Sequence, residues 1–267
     1  MVTAKETHKA ADLSLGILGC GGRMGSALLK AASEEVGITF RCGSYKHTLP
    51  ALLLDNKEAQ LTQCAETVFQ HSQVVVDFSH ESAAKAHLTL ATQHKKPFIL
   101  ATTGFTDDIS ALCEKAATHA PVMRAPNTSI GANLLKTLVR RAAKALNTTF
   151  DVTLLDRHHT QKKDAPSGTA LMLAHSVQEG RRLANKPEGK IRFDQPYETG
   201  SIQIASLQAA KLFGSHEVAF TSADERLTFT HELLNREALA KGALLAVKWL
   251  LHQKPGLYTM EDVLFQP

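Results

Sequence analysis

Short apolar runs separated by polar, glycine-bearing turns set the rhythm of the first half of the chain. Residues 13–18 (LSLGIL) pass directly into Gly19-Cys20-Gly21-Gly22-Arg23-Met24-Gly25, after which 26–32 (SALLKAA) reads as helix. Further strands are predicted at 38–42, 74–78, 97–102 and 122–124, with a helix over 82–93. Strands alternating with helices predict a parallel sheet with crossover connections. Leu134, Leu135, Leu138, Ala142 and Leu146 recur near the 3.6-residue period, which predicts an amphipathic helix over 133–147.

Beyond that helix the rhythm changes. Strand patterns at 150–155, 201–207, 217–221 and 226–230 follow, the later ones without intervening helices, and a final helix over 236–252 precedes Pro255-Gly256. The pattern predicts an α/β chain of two domains. Residues 1–130 would form a Rossmann-type doubly wound parallel sheet, with 240–267 returning to it. Residues 131–239 would form an α+β domain on a mixed or antiparallel sheet, for substrate binding and oligomerisation.

Composition narrows the class. With 43% apolar and 21% charged residues, the chain reads as a soluble globular protein. Its first dozen residues, MVTAKETHKAAD, lack the apolar stretch of a signal peptide, and no run is long enough to cross a bilayer, so a cytoplasmic location is expected. Cys20, Cys42, Cys64 and Cys113 form no C-x-x-C pair and are expected to be reduced and structural. The net charge of +4 is not gathered into a Lys/Arg tract, which speaks against nucleic acid and for small acidic ligands. Arg140-Arg141 and Arg181-Arg182 are expected on solvated helix faces.

Gly19, Gly22 and Gly25, spaced G-x-x-G-x-x-G between a strand and a helix, would let the backbone approach a pyrophosphate at the helix N-terminus, with Arg23 as an adjacent cation. The stricter G-x-G-x-x-G spacing fails at Met24, and a glycine cluster can also be only a tight turn. Where NAD-preferring folds place a carboxylate after the second strand, this chain has Gly43-Ser44-Tyr45-Lys46. Ser44 and Lys46 could serve a 2′-phosphate, so NADPH is expected to be preferred, with NADH possible. The loops Thr102-Thr103-Gly104-Phe105 and Ala125-Pro126-Asn127-Thr128-Ser129 follow strands and would border the same crevice, although both are also ordinary turn chemistry.

The segment 158–170, HHTQKKDAPSGTA, carries the densest chemistry. It puts two imidazoles, Lys162, Lys163 and a Ser-Gly-Thr turn within reach of one small anion. Adjacent histidines followed by charges do not fit a buried core strand, so the stretch should face solvent or line a cleft. Ser167 or Thr169 is expected at a helix N-terminus, where backbone N–H groups face anions. Lys163 is assigned to solvent and Asp164 to capping the following turn. His71, His80, His87, His94, His119, His216 and His231 show no metal-like spacing, so they are assigned structural or surface roles and no metal is expected.

GCGGRMG at the glycine loop, ATTGF at 101–105, APNTSIGAN at 125–133, HHTQKKDAPSGTA at 158–170 and GLYTMEDVL at 256–264 occur in the order and spacing of one family. The chain resembles dihydrodipicolinate reductase, also called 4-hydroxy-tetrahydrodipicolinate reductase, over nearly its whole length. The resemblance implies reduction of a cyclic dicarboxylate by a nicotinamide cofactor in the diaminopimelate route to lysine. It implies His158 as proton donor and acceptor, Lys162 as a second proton donor, and His159, Gly168 and Thr169 as contacts for the substrate carboxylates. Cofactor contacts are implied at Gly19, Cys20, Gly21, Gly22, Arg23 and Met24, at Ala101, Thr102 and Thr103, and at Ala125, Pro126, Asn127 and Thr128; Gly25 completes the glycine loop. A homotetramer built on the second domain's sheet is implied as well. Where many members carry Glu-Arg after the second strand, this chain has Tyr45-Lys46, which weighs against NADH, and the segment 47–70 matches the family poorly.

Two other readings remain open on the residues alone. One is another two-domain Rossmann dehydrogenase acting on an amino acid or semialdehyde; the phosphorylating kind needs an activated cysteine, which neither Cys20 nor Cys113 supplies. The other is a non-catalytic NADP-binding regulator, which would have no reason to keep a basic cleft for a dicarboxylate.

Overall fold

The computed structural model describes residues 13–46, 59–103, 106–193, 195–210 and 212–265. Two compact units emerge. One runs through Pro126 and takes in Ala243–Thr259; the other is Asn127–Gly242 with the segment from Met260 onward.

The first unit holds a seven-stranded parallel sheet. Its strands are β1 (Leu13–Leu18), β2 (Ile38–Ser44), β3 (Gln60–Thr62), β4 (Val74–Asp77), β5 (Phe98–Leu100), β6 (Pro121–Arg124) and β12 (Gly256–Thr259), in the spatial order β12-β6-β5-β4-β1-β2-β3. Order reverses beside β1, and ligands bind outside the carboxyl ends of strands at such a switch point. The crossovers are α1 (Arg23–Ser33), α2 (Ala65–His71), α3 (Ala84–His94, entered through a 3₁₀ turn Glu81–Ala83) and α4 (Asp107–Ala117). Val75, Phe98, Leu100 and Val122 from the strands pack with Phe69, Leu88, Ile109 and Cys113 from the helices, all buried. Strands covered on both faces read as continuous apolar runs, and VVV and FIL do.

The second unit packs α5 (Ile130–Ala145) and α6 (Gly168–Arg182) on one face of a five-stranded mixed sheet. Its strands are β7 (Asp151–His158), β8 (Ile191–Phe193), β9 (Ile202–Gln208), β10 (Ser215–Thr221) and β11 (Arg226–Glu232), in the order β11-β10-β7-β9-β8. β10 pairs antiparallel with β7 and β11, whereas β9 runs parallel to β7 and β8. Val152, Leu154, Ile202, Ile204, Val218 and Phe220 meet Leu135, Val139, Leu173 and Val177 in a single core. The helix α7 (Glu237–Leu250) carries the chain from this unit into the first, and α8 (Met260–Leu264) belongs again to the second.

Several expectations are corrected. The strand predicted at 150–155 continues through His158, so the first histidine of the pair ends a core strand and is buried. Arg181 lies inside the second unit, where its guanidinium donates to the Glu188 and Gly200 carbonyls. Arg140 is engaged by Glu179 and Glu261. Each of these two meets acceptors brought from elsewhere in the chain, whereas Arg141 and Arg182 are exposed as expected. The periodicity returns all of 240–267 to the first domain, but α8 groups with the second unit, where Glu261 accepts hydrogen bonds from Thr137 and Arg140. Among the described residues no helix is long and apolar enough to cross a membrane.

Candidate active site

In the first unit the chain leaves β1 through Gly19, whose φ of +77° favours glycine. The N–H groups of Gly19 and Cys20 both donate to the Ser44 carbonyl at 2.9 Å, which pins the loop to the end of β2. Gly22 is the N-cap of α1 with no side chain to satisfy the first-turn amides, leaving them for an anion. A Cβ on Gly25 would lie 2.2 Å from the Gly19 carbonyl oxygen, so helix and loop touch there. That contact is the one the third glycine of the stricter spacing makes, met here one residue after Met24.

A cavity of about 660 Å³ opens beside this loop. Gly19, Gly21, Gly22, Ser44, Tyr45 and Lys46 line it, together with Phe78, Ser79, His80 and His87. Asp77 at the end of β4 is fully buried and organises one wall. It accepts from the Ser79 amide at 2.8 Å and its hydroxyl at 2.5 Å, and it lies 2.7 Å from His87 Nδ1. His80 and His87, set aside from the sequence, therefore belong to the wall of the glycine-loop cavity. The signal was the sequence D-F-S-H directly after a buried strand, at the strand end where ligands sit. Cys20 points the other way: it is buried against Gly43, and burial pushes its thiol up to about 11. It could meet a ligand only through its backbone.

Arg23 is exposed, Met24 is half-buried, and neither borders the cavity. Ala101, Thr102 and Thr103 follow β5; Thr102 Oγ1 is buried without a hydrogen-bond partner, an atom a bound polar group would satisfy. Gly104 and Phe105, like 47–58, lie outside the described residues. Ala125 and Pro126 end the first unit, while Asn127 and Thr128 fall in the second. There Asn127 Nδ2 donates to Thr169 Oγ1 at 3.0 Å, and the Thr128 hydroxyl donates to the Leu239 carbonyl at 2.7 Å.

In the second unit Val152, Leu154, Asp156 and His158 alternate onto the buried face of β7. The first two meet the helices, and the last two form a polar end to the same face. Asp156 Oδ1 lies 3.0 Å from His158 Nδ1 and 3.3 Å from His216 Nε2. The Ser167 hydroxyl donates to Oδ1 at 2.8 Å and the Ser167 amide to Oδ2 at 2.7 Å. Burial opposes the charge on Asp156, but hydrogen bonds from His158, His216 and Ser167 outweigh it and hold the carboxyl well below the usual carboxylate range. His158, Asp156 and His216 thus converge, contrary to the expectation of scattered histidines. Their contacts are of hydrogen-bond length.

Ser167 is also the N-cap of α6, its hydroxyl accepting from the Ala170 amide at 3.1 Å. Gly168 and Thr169 occupy the first turn, and space within 4 Å of where a Gly168 Cβ would stand is open, as an anion site requires. Lys162 is held by Asp164 at 2.8 Å, so Asp164 serves as an ion-pair partner rather than the expected turn cap. His159 is half-buried with Nδ1 unpartnered, and it lines a cavity of about 480 Å³ with Thr160, Gln161, Ala210, Phe213 and Arg236. The Arg236 guanidinium sits 5.4 Å from the Phe213 ring centroid. No spacing in the sequence links this arginine to the histidine motif.

Comparison with known proteins bears on the whole length. The model for "Dihydrodipicolinate reductase, N-terminus" matches residues 13–128 and that for "Dihydrodipicolinate reductase, C-terminus" matches 131–264. A 4-hydroxy-tetrahydrodipicolinate reductase of Zymomonas mobilis is 38% identical over 261 residues, covering 96% of this chain and 98% of that protein. One of Caldanaerobacter subterraneus is 36% identical over 92% and 96%. Among solved structures, a dipicolinate-bound dihydrodipicolinate reductase from Paenisporosarcina sp. TG-14 has a TM-score of 0.77 at 23% identity, covering 95% of this chain and 100% of that one; at that identity it speaks for the fold. With both halves matched and the histidine motif in place, this chain belongs to the dihydrodipicolinate reductase family.

Proposed function

We propose that the chain reduces 4-hydroxy-tetrahydrodipicolinate to tetrahydrodipicolinate in the diaminopimelate route to lysine, with His158 delivering the proton. The observation that carries this reading is the grouping of His158, His159, Lys162 and the open N-terminus of α6 in one unit, on a chain matched by the family along both halves. When bound, a reduced nicotinamide supplies the hydride. Gly19, Gly21 and Gly22 would hold its pyrophosphate, and the cavity beside them together with the tight Gly25 approach fits such a dinucleotide.

Loss of the 4-hydroxyl as water forms a conjugated imine; hydride arriving on it leaves electron density that a proton must take up, and imidazole is suited to deliver it near neutral pH. His158 fills that role, with Lys162 as a second donor able to stabilise developing negative charge. The amides of Gly168 and Thr169 with His159 receive the carboxylates, and Arg236 adds a cation on the cavity that His159 lines. A dicarboxylate ligand agrees with the dipicolinate bound by the Paenisporosarcina relative.

NADPH is the preferred cofactor in this reading, because Ser44 and Lys46 line the cavity where a carboxylate would favour NADH. The protein works in the cytoplasm as a homotetramer, which the exposed Ala205 and Leu207 of β9 favour. The decisive experiment follows NADPH and NADH oxidation at 340 nm, with substrate generated in place by a separate synthase from pyruvate and aspartate semialdehyde. Synthase-dependent oxidation, faster with NADPH, is expected. His158→Gln should lower kcat by about 100-fold or more while leaving NADPH affinity within about threefold. Folded, NADPH-binding protein without oxidation would favour a non-catalytic NADP-binding regulator.

A further inference from the structure

The polar end of the second unit's sheet is a single row. Register places Ser206 of β9, Asp156 of β7, His216 of β10 and His231 of β11 opposite one another, strand by strand. The rows behind it on the same face, led by Leu154, Ile204, Val218 and Phe229, contribute to the apolar core. Asp156 stands mid-row, fully enclosed, with contacts on both oxygens. Oδ2 accepts from the Ser167 amide and lies 3.3 Å from Ser206 Oγ; Oδ1 accepts from the Ser167 hydroxyl and faces His158 Nδ1 and His216 Nε2. A carboxylate accepts only, so a hydrogen bond along either approach needs the proton on the imidazole nitrogen that faces it. A proton on Nδ1 of His158 fits this arrangement and leaves Nε2 to meet substrate. Nε2 points toward Gly214, 3.1 Å from where a Cβ on that residue would stand, so a side chain there would crowd the nitrogen.

We infer that Asp156, braced by Ser167 and His216, is a positioning residue for His158: it sets the tautomer and ring orientation of the proton donor. Neither imidazole nor carboxylate is free to turn. His158 and His216 are packed edge to face with ring centroids 5.2 Å apart, and His231 stacks beyond His216 at 6.2 Å while approaching the Ser129 hydroxyl at 3.2 Å. The groups facing His158 are therefore Asp156 from its own strand and His216 from β10, with Ser167 at the start of α6 bridging the two. Burial and the neighbouring His216 hold the His231 imidazole below its ordinary value, so that end of the row favours the neutral form. The relation of carboxylate to imidazole is that of the Asp–His pair in serine hydrolases, where replacing the acid by its amide gives the wrong tautomer with little change in geometry. Here acid and histidine stand two residues apart on one strand, and the alternation of the strand alone brings them to one face.

The kinetic consequence rests on the reductase reading; the tautomer does not. Two-bond ¹⁵N–¹H correlation spectra of histidine-labelled protein, recorded where imidazole is neutral and assigned with His158→Gln, should show the His158 proton on Nδ1. A proton on Nε2, or a mixture of tautomers, overturns the inference whatever the activity. In Asp156→Asn, which keeps the side-chain shape and can still accept from Ser167, kcat should fall at least about 100-fold while the KM for the dicarboxylate and the Kd for NADPH stay within about threefold. A folded Asp156→Asn protein with wild-type kcat overturns the inference. If that variant does not fold, the wild-type tautomer decides. Inactivity of wild-type protein that carries the Nδ1 proton would count against the reductase reading alone.

Discussion

Gly22 and Gly25 lie three residues apart and separate two kinds of demand on one loop. Gly22 has an ordinary φ of −79°, and a Cβ there would stand 3.3 Å from the Gly19 carbonyl, a contact a small shift relieves. Gly22→Asp should fold, yet weaken dinucleotide binding by about tenfold or more, because it puts a carboxylate at the helix N-terminus proposed to hold the phosphates. At Gly25 the obstruction is backbone, 2.2 Å from the Gly19 oxygen and 2.7 Å from Cys20 Cα. Gly25→Ala should cost about 1–3 kcal/mol of stability as well as affinity. Thermal unfolding of both variants, with and without NADPH, separates them: the first should keep its apo Tm and lose the ligand-induced rise, and the second should lose both.

The contact of α5 with α6 underlies the second unit, because the two helices together cover one face of its sheet. They approach so closely that a Cβ on Gly180 would lie 2.2 Å from the Arg140 carbonyl oxygen and 2.9 Å from Ala143 Cβ. Gly180→Ala should raise the helix propensity of α6 by about 1 kcal/mol and still destabilise the protein, since overpacking against backbone costs about 1–3 kcal/mol. Urea unfolding monitored by far-UV circular dichroism gives the sign; a stabilised variant would mean the helices part without penalty. The same element carries Ser167 and the first-turn amides at its start, so α6 ties the packing of the unit to the proposed carboxylate site.

Across the whole molecule, acid should act on two carboxylates held low, one in the candidate site and one outside it. Asp156 is held low as described, and Glu261 is held low because Thr137, Lys136 and Arg140 outweigh the opposing effect of its burial. A carboxyl whose folded pKa lies below its unfolded value adds stability that is complete above the unfolded value and fades as pH falls toward the folded one. The free energy of unfolding should therefore hold near pH 6 and drop below about pH 4. In Glu261→Gln it should be lower by about 1–3 kcal/mol near pH 6, with the gap to wild type closing in acid; a gap that stays constant with pH would sink the account. The periodicities 13–18, 74–78 and 133–147 were enough to predict strand, strand and helix, because local apolar spacing already states which face must be buried. The short edge strands Gln60–Thr62, Ile191–Phe193 and Gly256–Thr259 left no such mark; three or four residues are too few for a period, and pairing with a neighbouring strand makes them. In the same way, HHTQKKDAPSGTA and the glycine loop declared their chemistry in sequence, since one continuous segment holds each set of groups. Asp156 was hidden in a run that reads as apolar, and His216, His87 and Arg236 had no neighbour in sequence to mark them. Their place is decided by strand register and by which elements close around a cavity, and those are properties of residues far apart in the chain. The sequence by itself determined the longer elements, the family and the segment proposed to donate the proton. Only the tertiary structure decided that His158 is buried at the end of a core strand, because the partners that make its burial tolerable come from β10 and the start of α6.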